Sequence, residues 1–141
     1  MTLLTREAVI NSKPTFEMVE VDVTEWGAID PETGERQRTT VFVREMTVRE
    51  KNKFIFAGAT IKGRKLVQED GMDIDAVKSF EARLAVATCC DANGNPIFTS
   101  EDIEHLLDKP VKVLSRICDA ALKLNRLNKE DLENEEETVK N

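Results

Sequence analysis

Residues 89–103, CCDANGNPIFTSEDI, end one apolar element, reverse the chain and begin another within fifteen positions. Gly94 tolerates positive φ, the Asn93 and Asn95 side chains bond nearby backbone, and the ring of Pro96 biases Asn95 away from helix. Ile97 and Phe98 are expected to plug inward, after which Thr99 or Ser100, with Asp102 behind it, caps a new helix. None of these residue types in this order makes a reaction centre. They specify where elements stop and start.

On the N-terminal side of this turn the hydrophobic period changes once. Phe16, Met18, Val19, Val21 and Val23 interleave with Glu17, Glu20 and Asp22, which reads as a strand, and residues 39–46, TTVFVREM, read as its partner. Trp26-Gly27 and the turn-rich Asp30–Gly34 lie between them, so a long-looped antiparallel hairpin is expected. Thr5–Ile10 forms a short helical stretch that needs tertiary support at that length. Thr47-x-x-Glu50 is a capping box opening a helix from about Val48 to Ala59. Lys62–Met72 reads as an exposed, mobile connection.

Helical spacing governs the remainder. Val77, Phe80, Leu84 and Ala87 make a stripe on a helix expected over Ile74–Cys90, and the absence of charge between Arg83 and Asp91 predicts that its end is buried nearly all round. Past Pro110, Lys112, Arg116, Asp119, Lys123 and Arg126 form a polar stripe opposite Val111, Leu114, Ile117, Cys118, Ala121 and Leu124. The expected fold is therefore α+β, an N-terminal antiparallel β-hairpin (about 16–46) on a mainly α-helical body (about 47–128), in one globular domain spanning 1–128. Residues 129–141 read as a flexible, disordered acidic tail that is dispensable for folding, because Leu132 and Val139 are its only sizeable apolar groups.

A chain of 141 residues can bury roughly 68% of its unfolded surface without disulfide or metal staples. Three cysteines, two of them adjacent, make an odd set suited to a reducing cytoplasm. No apolar run approaches the ~20 residues of a membrane span, and MTLLTREAV lacks a signal-peptide core, so export and membrane insertion are not expected. The net charge of −7 is uneven. Residues 44–65 carry seven basic side chains against two acidic ones, a local +5, while residues 129–141 carry six acids against two lysines. A basic middle with an acidic end favours a partner of mixed charge or head-to-tail self-association, and equally fits a solvated helix face. Nucleic acid is disfavoured by the acidic whole and by the absence of a recognised binding motif.

Catalytic and cofactor chemistry finds little material. There is one histidine, His105, and no tyrosine. Cys89, Cys90, Cys118 and His105 lack zinc-knuckle spacing, and Glu101 with Asp102 are explained by the first turn of a helix. Gly58-x-x-x-x-Gly63 lacks the following Lys-Ser/Thr of a phosphate loop. No enzyme, metal or cofactor is expected. Candidate partner-binding residues remain. Trp26 is either a lid over the hairpin or an interface anchor. Phe54 and Phe56 cannot share one helix face, so one of them looks away from the core beside Lys51 and Lys53. The polar stripe bearing Lys112, Arg116 and Lys123 is the second candidate surface.

Several segments together carry a family likeness: Glu25-Trp26-Gly27 at the strand exit, residues 41–50 (VFVREMTVRE) entering a Phe-bearing helix, and Leu84–Asp91 with its Asn93-Gly94 turn. They are followed by Ile97-Phe98-Thr99, the Glu101-Asp102-Ile103 helix start, and residues 120–127 (AALKLNRL) before an acidic tail. Across about residues 14–128 this order resembles the tail assembly chaperones of bacteriophages with long, non-contractile tails. The resemblance implies a non-catalytic protein of the bacterial host cytoplasm, not expected in the mature virion. It also implies binding to the tape measure protein before tail tube subunits polymerise, with tail tube protein contacted through a frameshift-extended form. The alternatives are a structural tail or head-completion protein and a small nucleic-acid-binding regulator.

Overall fold

The Val–acid alternation before Trp26 and the TTVFVREM run after it do produce paired strands. In the structure, a computed structural model that describes residues 2–56, 60–62, 65–67 and 79–127, β1 (Met18–Asp22) runs antiparallel to β2 (Thr40–Arg44) with Val19 opposite Val43 and Val21 opposite Val41. Those four valines share one face, because cross-strand partners point the same way. The loop between the strands closes where Gly34, at φ +72°, donates its N–H to the Asp30 carbonyl at 2.8 Å and the Asp30 carboxylate accepts from Glu32 N–H. A single 3₁₀ turn, Thr24–Trp26, leads out of β1.

Helix α1 (Arg6–Asn11) is capped by the Thr5 hydroxyl, yet none of its residues is buried, so the packing expected to support it is not seen. The capping box at Thr47 is present in both directions. Glu50 N–H bonds Thr47 Oγ1 at 3.1 Å and Thr47 N–H bonds Glu50 Oε1 at 2.9 Å, opening α2 (Val48–Phe56). Beyond it β3 (Thr60–Lys62) pairs antiparallel with β4 (Lys65–Val67). This corrects the reading of Lys62–Met72 as an exposed, mobile connection, since Lys62 and Lys65–Val67 lie in paired strands. The runs are three residues each, too short for alternation to register. The rest of that connection, and Val77 with the expected helix start at Ile74, lie outside the described residues.

The expected helix to Cys90 is also corrected. Helix α3 (Phe80–Thr88) stops at Thr88, and Cys89–Cys90 form β5, paired with β2 through Val43–Cys89 and Phe42–Cys90. The sheet thus has three strands in the order β1-β2-β5 rather than two. An uncharged run buried on all sides has no polar face to show where a helix becomes a strand, which is why the period misled. Burial around the end of α3 is as expected, with Ala82, Leu84, Ala85 and Thr88 all fully enclosed and the Thr88 hydroxyl donating to Leu84 O at 2.7 Å.

The turn after β5 is built by Asp91, whose carboxylate accepts from Asn93 N–H (2.8 Å) and Asn95 N–H (3.0 Å), with Gly94 at φ +84°. Those bonds to the ionised form hold the Asp91 carboxyl below its ordinary pKa. Phe98 packs on the core but Ile97 is exposed, contrary to expectation. Neighbours in extended chain face opposite ways, so only one of the two can enter. Thr99 and Asp102 form the second capping box ahead of a 3₁₀ turn and α4 (Ile103–Leu107).

Helix α5 (Val111–Leu124) packs on α3 and on β1 and β2, burying Val113, Leu114, Ile117, Cys118 and Ala121. Val111, assigned to that face from its spacing, is exposed, whereas Val113 is fully buried in its place. Counting four residues back from Ile117 points to Val113 directly. At the helix end Leu127 N–H reaches Leu122 O and Arg126 N–H reaches Lys123 O, with Arg126 at φ +57°. This is a Schellman arrangement carrying arginine where glycine is usual.

Candidate partner-binding surface

Helix α2 meets α3 and α4 along a cleft of about 250 Å³. Phe54, Val86, Ala87 and Ile103 make its floor, and Glu50, Lys53 and Arg83 its rim. Phe54 is the inward phenylalanine. It is buried, its ring centroid lies 5.1 Å from that of Phe80 at a 50° tilt, and the Arg83 guanidinium stands 5.1 Å above its face. Phe56 is in α2 by backbone, but its side chain lies outside the described residues. Lys53 is exposed and Lys51 half-exposed.

The basic segment is less of a solvated patch than its composition predicts, because Arg44 is 4% exposed. Its guanidinium pairs with Glu50 at 2.8 Å, donates to Glu45 O at 3.1 Å and stands 4.3 Å from the centre of the Phe16 ring. Arg44 belongs to the face of the sheet opposite the main core, where Met18, Phe42 and Cys90 also point. Burial would push the Glu50 carboxyl up, but Thr47 N–H and the Arg44 guanidinium outweigh it and hold the group below its ordinary value. Arg49, Lys51 and Lys53 carry the outward charge of α2.

The other predicted residues gather at the end of β1. Arg116 on α5 donates to Asp22 O at 2.6 Å and pairs with the Glu25 carboxylate, so it ties the helix to the strand exit. The bond from Arg116 is the main cause of the lowered Glu25 pKa. Trp26, beside Glu25, packs against the core half-buried, and its indole N–H is enclosed without an acceptor. Lys112 and Lys123 are exposed on the same polar stripe as Arg116. The structure therefore brings Lys53 with Phe54 at the cleft, and Trp26 with Arg116 at the strand exit. Arg83, Val86 and Ile103 were not foreseen as cleft residues. The signal available for Arg83 was its place as the last charge before a long uncharged run.

A family model described as phage tail assembly chaperone matches residues 4–141. The chain belongs to that family. The structure of the bacteriophage HK97 tail assembly chaperone is similar, with a TM-score of 0.50 at 18% identity over 84% of this chain and 90% of that one, a likeness of fold. No curated protein matches the sequence significantly.

The chaperone serves phage tail assembly in virion morphogenesis without catalysis, and its partners are tail proteins. Its thiols are all buried, Cys89 and Cys118 in the main core and Cys90 on the opposite face of the sheet. Burial pushes Cys89 and Cys118 up to about 12 and also raises Cys90, so all three are neutral thiols near pH 7. His105 is exposed on α4, and among the described residues no cluster of His, Cys, Asp and Glu could hold a metal ion. No helix among them is long and apolar enough to cross a membrane.

Proposed function

We propose that this chaperone binds the tape measure protein, keeps its long helical stretches from aggregating, and helps recruit tail tube protein, acting in the host cytoplasm and leaving before the virion is complete. The observation that carries the reading is the family match over residues 4–141. The cleft supports it physically. An apolar floor with a cationic rim suits a helix that presents an apolar stripe flanked by acids, and such an interface is modest and reversible. Steering by Lys51 and Lys53 speeds encounter, and release needs no covalent step. Contact with tube protein is assigned to a frameshift-extended form.

Co-expression with the long coiled-coil product of the same tail gene cluster tests the reading. That product is expected to move from the insoluble to the soluble fraction and to co-purify with the chaperone. If it stays insoluble beside abundant folded chaperone, the tape measure assignment fails. Recovery of the chain in purified mature particles would instead favour a structural tail protein.

A further inference from the structure

Strand β1 is an outer strand of the β1-β2-β5 sheet, so one row of its backbone groups has no strand of that sheet beside it. The phase of the ladder says which row. Val23 N–H donates to Thr39 O and Glu45 N–H to Glu17 O, in the same register as the Val19–Val43 and Val21–Val41 pairs. Bonded pairs alternate along an antiparallel ladder, so the odd-numbered residues of β1 bond β2, while Met18, Glu20 and Asp22 turn their N–H and C=O groups outward. The Asp22 carbonyl is met there by the Arg116 guanidinium at 2.6 Å. Among the described residues, none bonds the outward N–H or C=O of Met18 or Glu20.

The side chains along this edge define the strand that suits it. Glu17, Glu20 and Asp22 are exposed, and Val19, on the core face, is 41% exposed at the margin of the sheet. Charges on an edge discourage pairing with strands of like charge, and here every charge is negative. A second copy adding its own β1 antiparallel about Glu20 would set Glu20 against Glu20, which is destabilising. A basic strand meets the opposite condition. Arg116, already seated on the Asp22 carbonyl and the Glu25 carboxylate, shows that a guanidinium fits this edge.

We infer that β1 is a docking edge for an extended basic segment of a tail protein, added to the sheet as a further strand. The segment bonds Met18 and Glu20 through its main chain, lays an apolar side chain over Val19 and sets a lysine or arginine beside Glu20. Apolar and basic residues therefore alternate along it. The edge shares no residue with the cleft between α2, α3 and α4, so its test stands apart from the tape measure reading.

Hydrogen exchange read by amide NMR on the full chain tests this, with a synthetic peptide of about six residues, alternating valine and lysine, as the probe. In the free chain the Met18 and Glu20 amides should exchange fast beside slower Val19 and Val21. Excess peptide should slow Met18 and Glu20 by ~10-fold or more, and about 0.5 M salt should weaken the effect. In the inferred register the peptide's lysine N–H groups face β1, so N-methylation at the lysines should abolish protection and N-methylation at the valines should not. Glu20→Lys, at an exposed position, should lose this peptide and accept one alternating valine and glutamate. The proposal is overturned if excess peptide leaves Met18 and Glu20 unprotected, or if both N-methylated peptides protect alike. It is equally overturned if Glu20 is already protected in the dilute free chain, which would put another part of the chain on the edge. Protection that grows with chain concentration in the absence of peptide overturns it in favour of a second copy.

Discussion

Asn125 Oδ1 accepts the backbone N–H of Met46 at 2.6 Å, joining the end of the last helix to the junction between β2 and α2. The Asn125 amide nitrogen donates to Arg44 O (3.4 Å) and Ala121 O (3.0 Å), so one buried side chain serves three backbone groups where strand, turn and helix meet. An asparagine near a helix end reads as a stop signal in the sequence, and nothing there reveals that it closes the fold over a separation of 79 positions.

Asn125→Ala should lower stability by about 1–3 kcal/mol, because Met46 N–H is then buried without an acceptor. Asn125→Asp keeps the acceptor but removes the donor and places a carboxylate in the core, so it should be no milder. Urea unfolding of the two variants checks the order. A loss of only a few tenths for both would mean that water replaces the amide.

Gly27 is required by space rather than by backbone angle. A Cβ there would stand 2.5 Å from Thr39 Oγ1 and 2.6 Å from Gln37 O, at an ordinary φ of −72°. Gly27→Ala should cost about 1–3 kcal/mol through overpacking. Shortening Thr39 to Ala should relieve only part of it, since the Gln37 carbonyl remains, and a double-mutant cycle measures that share.

Acid should destabilise the chaperone from one direction. Asp22, Glu25, Glu50 and Asp91 all have pKa values lowered by folding, from ordinary values of 3.8 and 4.5. The unfolded state therefore takes up protons first, and the stability these groups supply is complete above about pH 5.5 and lost as pH falls through their folded values. Unfolding free energies at pH 7, 6, 4 and 3 should be flat at the first two and drop at the last two. Asp91→Ala should shrink the drop.

Both capping boxes and the turn at Asp91–Pro96 were legible because each is local: its hydrogen bonds join residues close in sequence, and the residue types name the geometry. The hairpin was legible from its period-two pattern and turn-rich loop, although its strands pair across that long loop. Cys89–Cys90 was not legible as a strand, since its partner is β2, distant in sequence, and the uncharged run that contains it shows no change of period. Arg44 reads as surface charge until Glu50 and Phe16 are seen around it. The cleft had a partial signature in Lys53 and Phe54, but Arg83, Val86 and Ile103 come to it from elements that only tertiary packing brings near.

The buried thiols give a separate check on packing. With Cys89 and Cys118 raised to about 12, a disulfide reagent at pH 8 should label the native protein only as fast as it opens. All three cysteines should react at once in denaturant. Rapid labelling of the folded protein would show that the β5 region is accessible in solution.

Partner capture can be separated from folding at α2. Phe54→Ala removes a core side chain and should cost about 3–5 kcal/mol, so it says nothing clean about binding. Lys51→Glu and Lys53→Glu change exposed or half-exposed groups and should leave the melting temperature nearly unchanged. If the cleft face meets the tape measure protein, the double charge reversal should slow association and flatten its dependence on salt, with a smaller effect on dissociation. Equal association rates for parent and variant would move the interface to the exposed stripe of α5. There Lys112 and Lys123 are the residues to reverse next, because Arg116 is already held by Glu25 and Asp22 and its loss would disturb the fold as well as any interface.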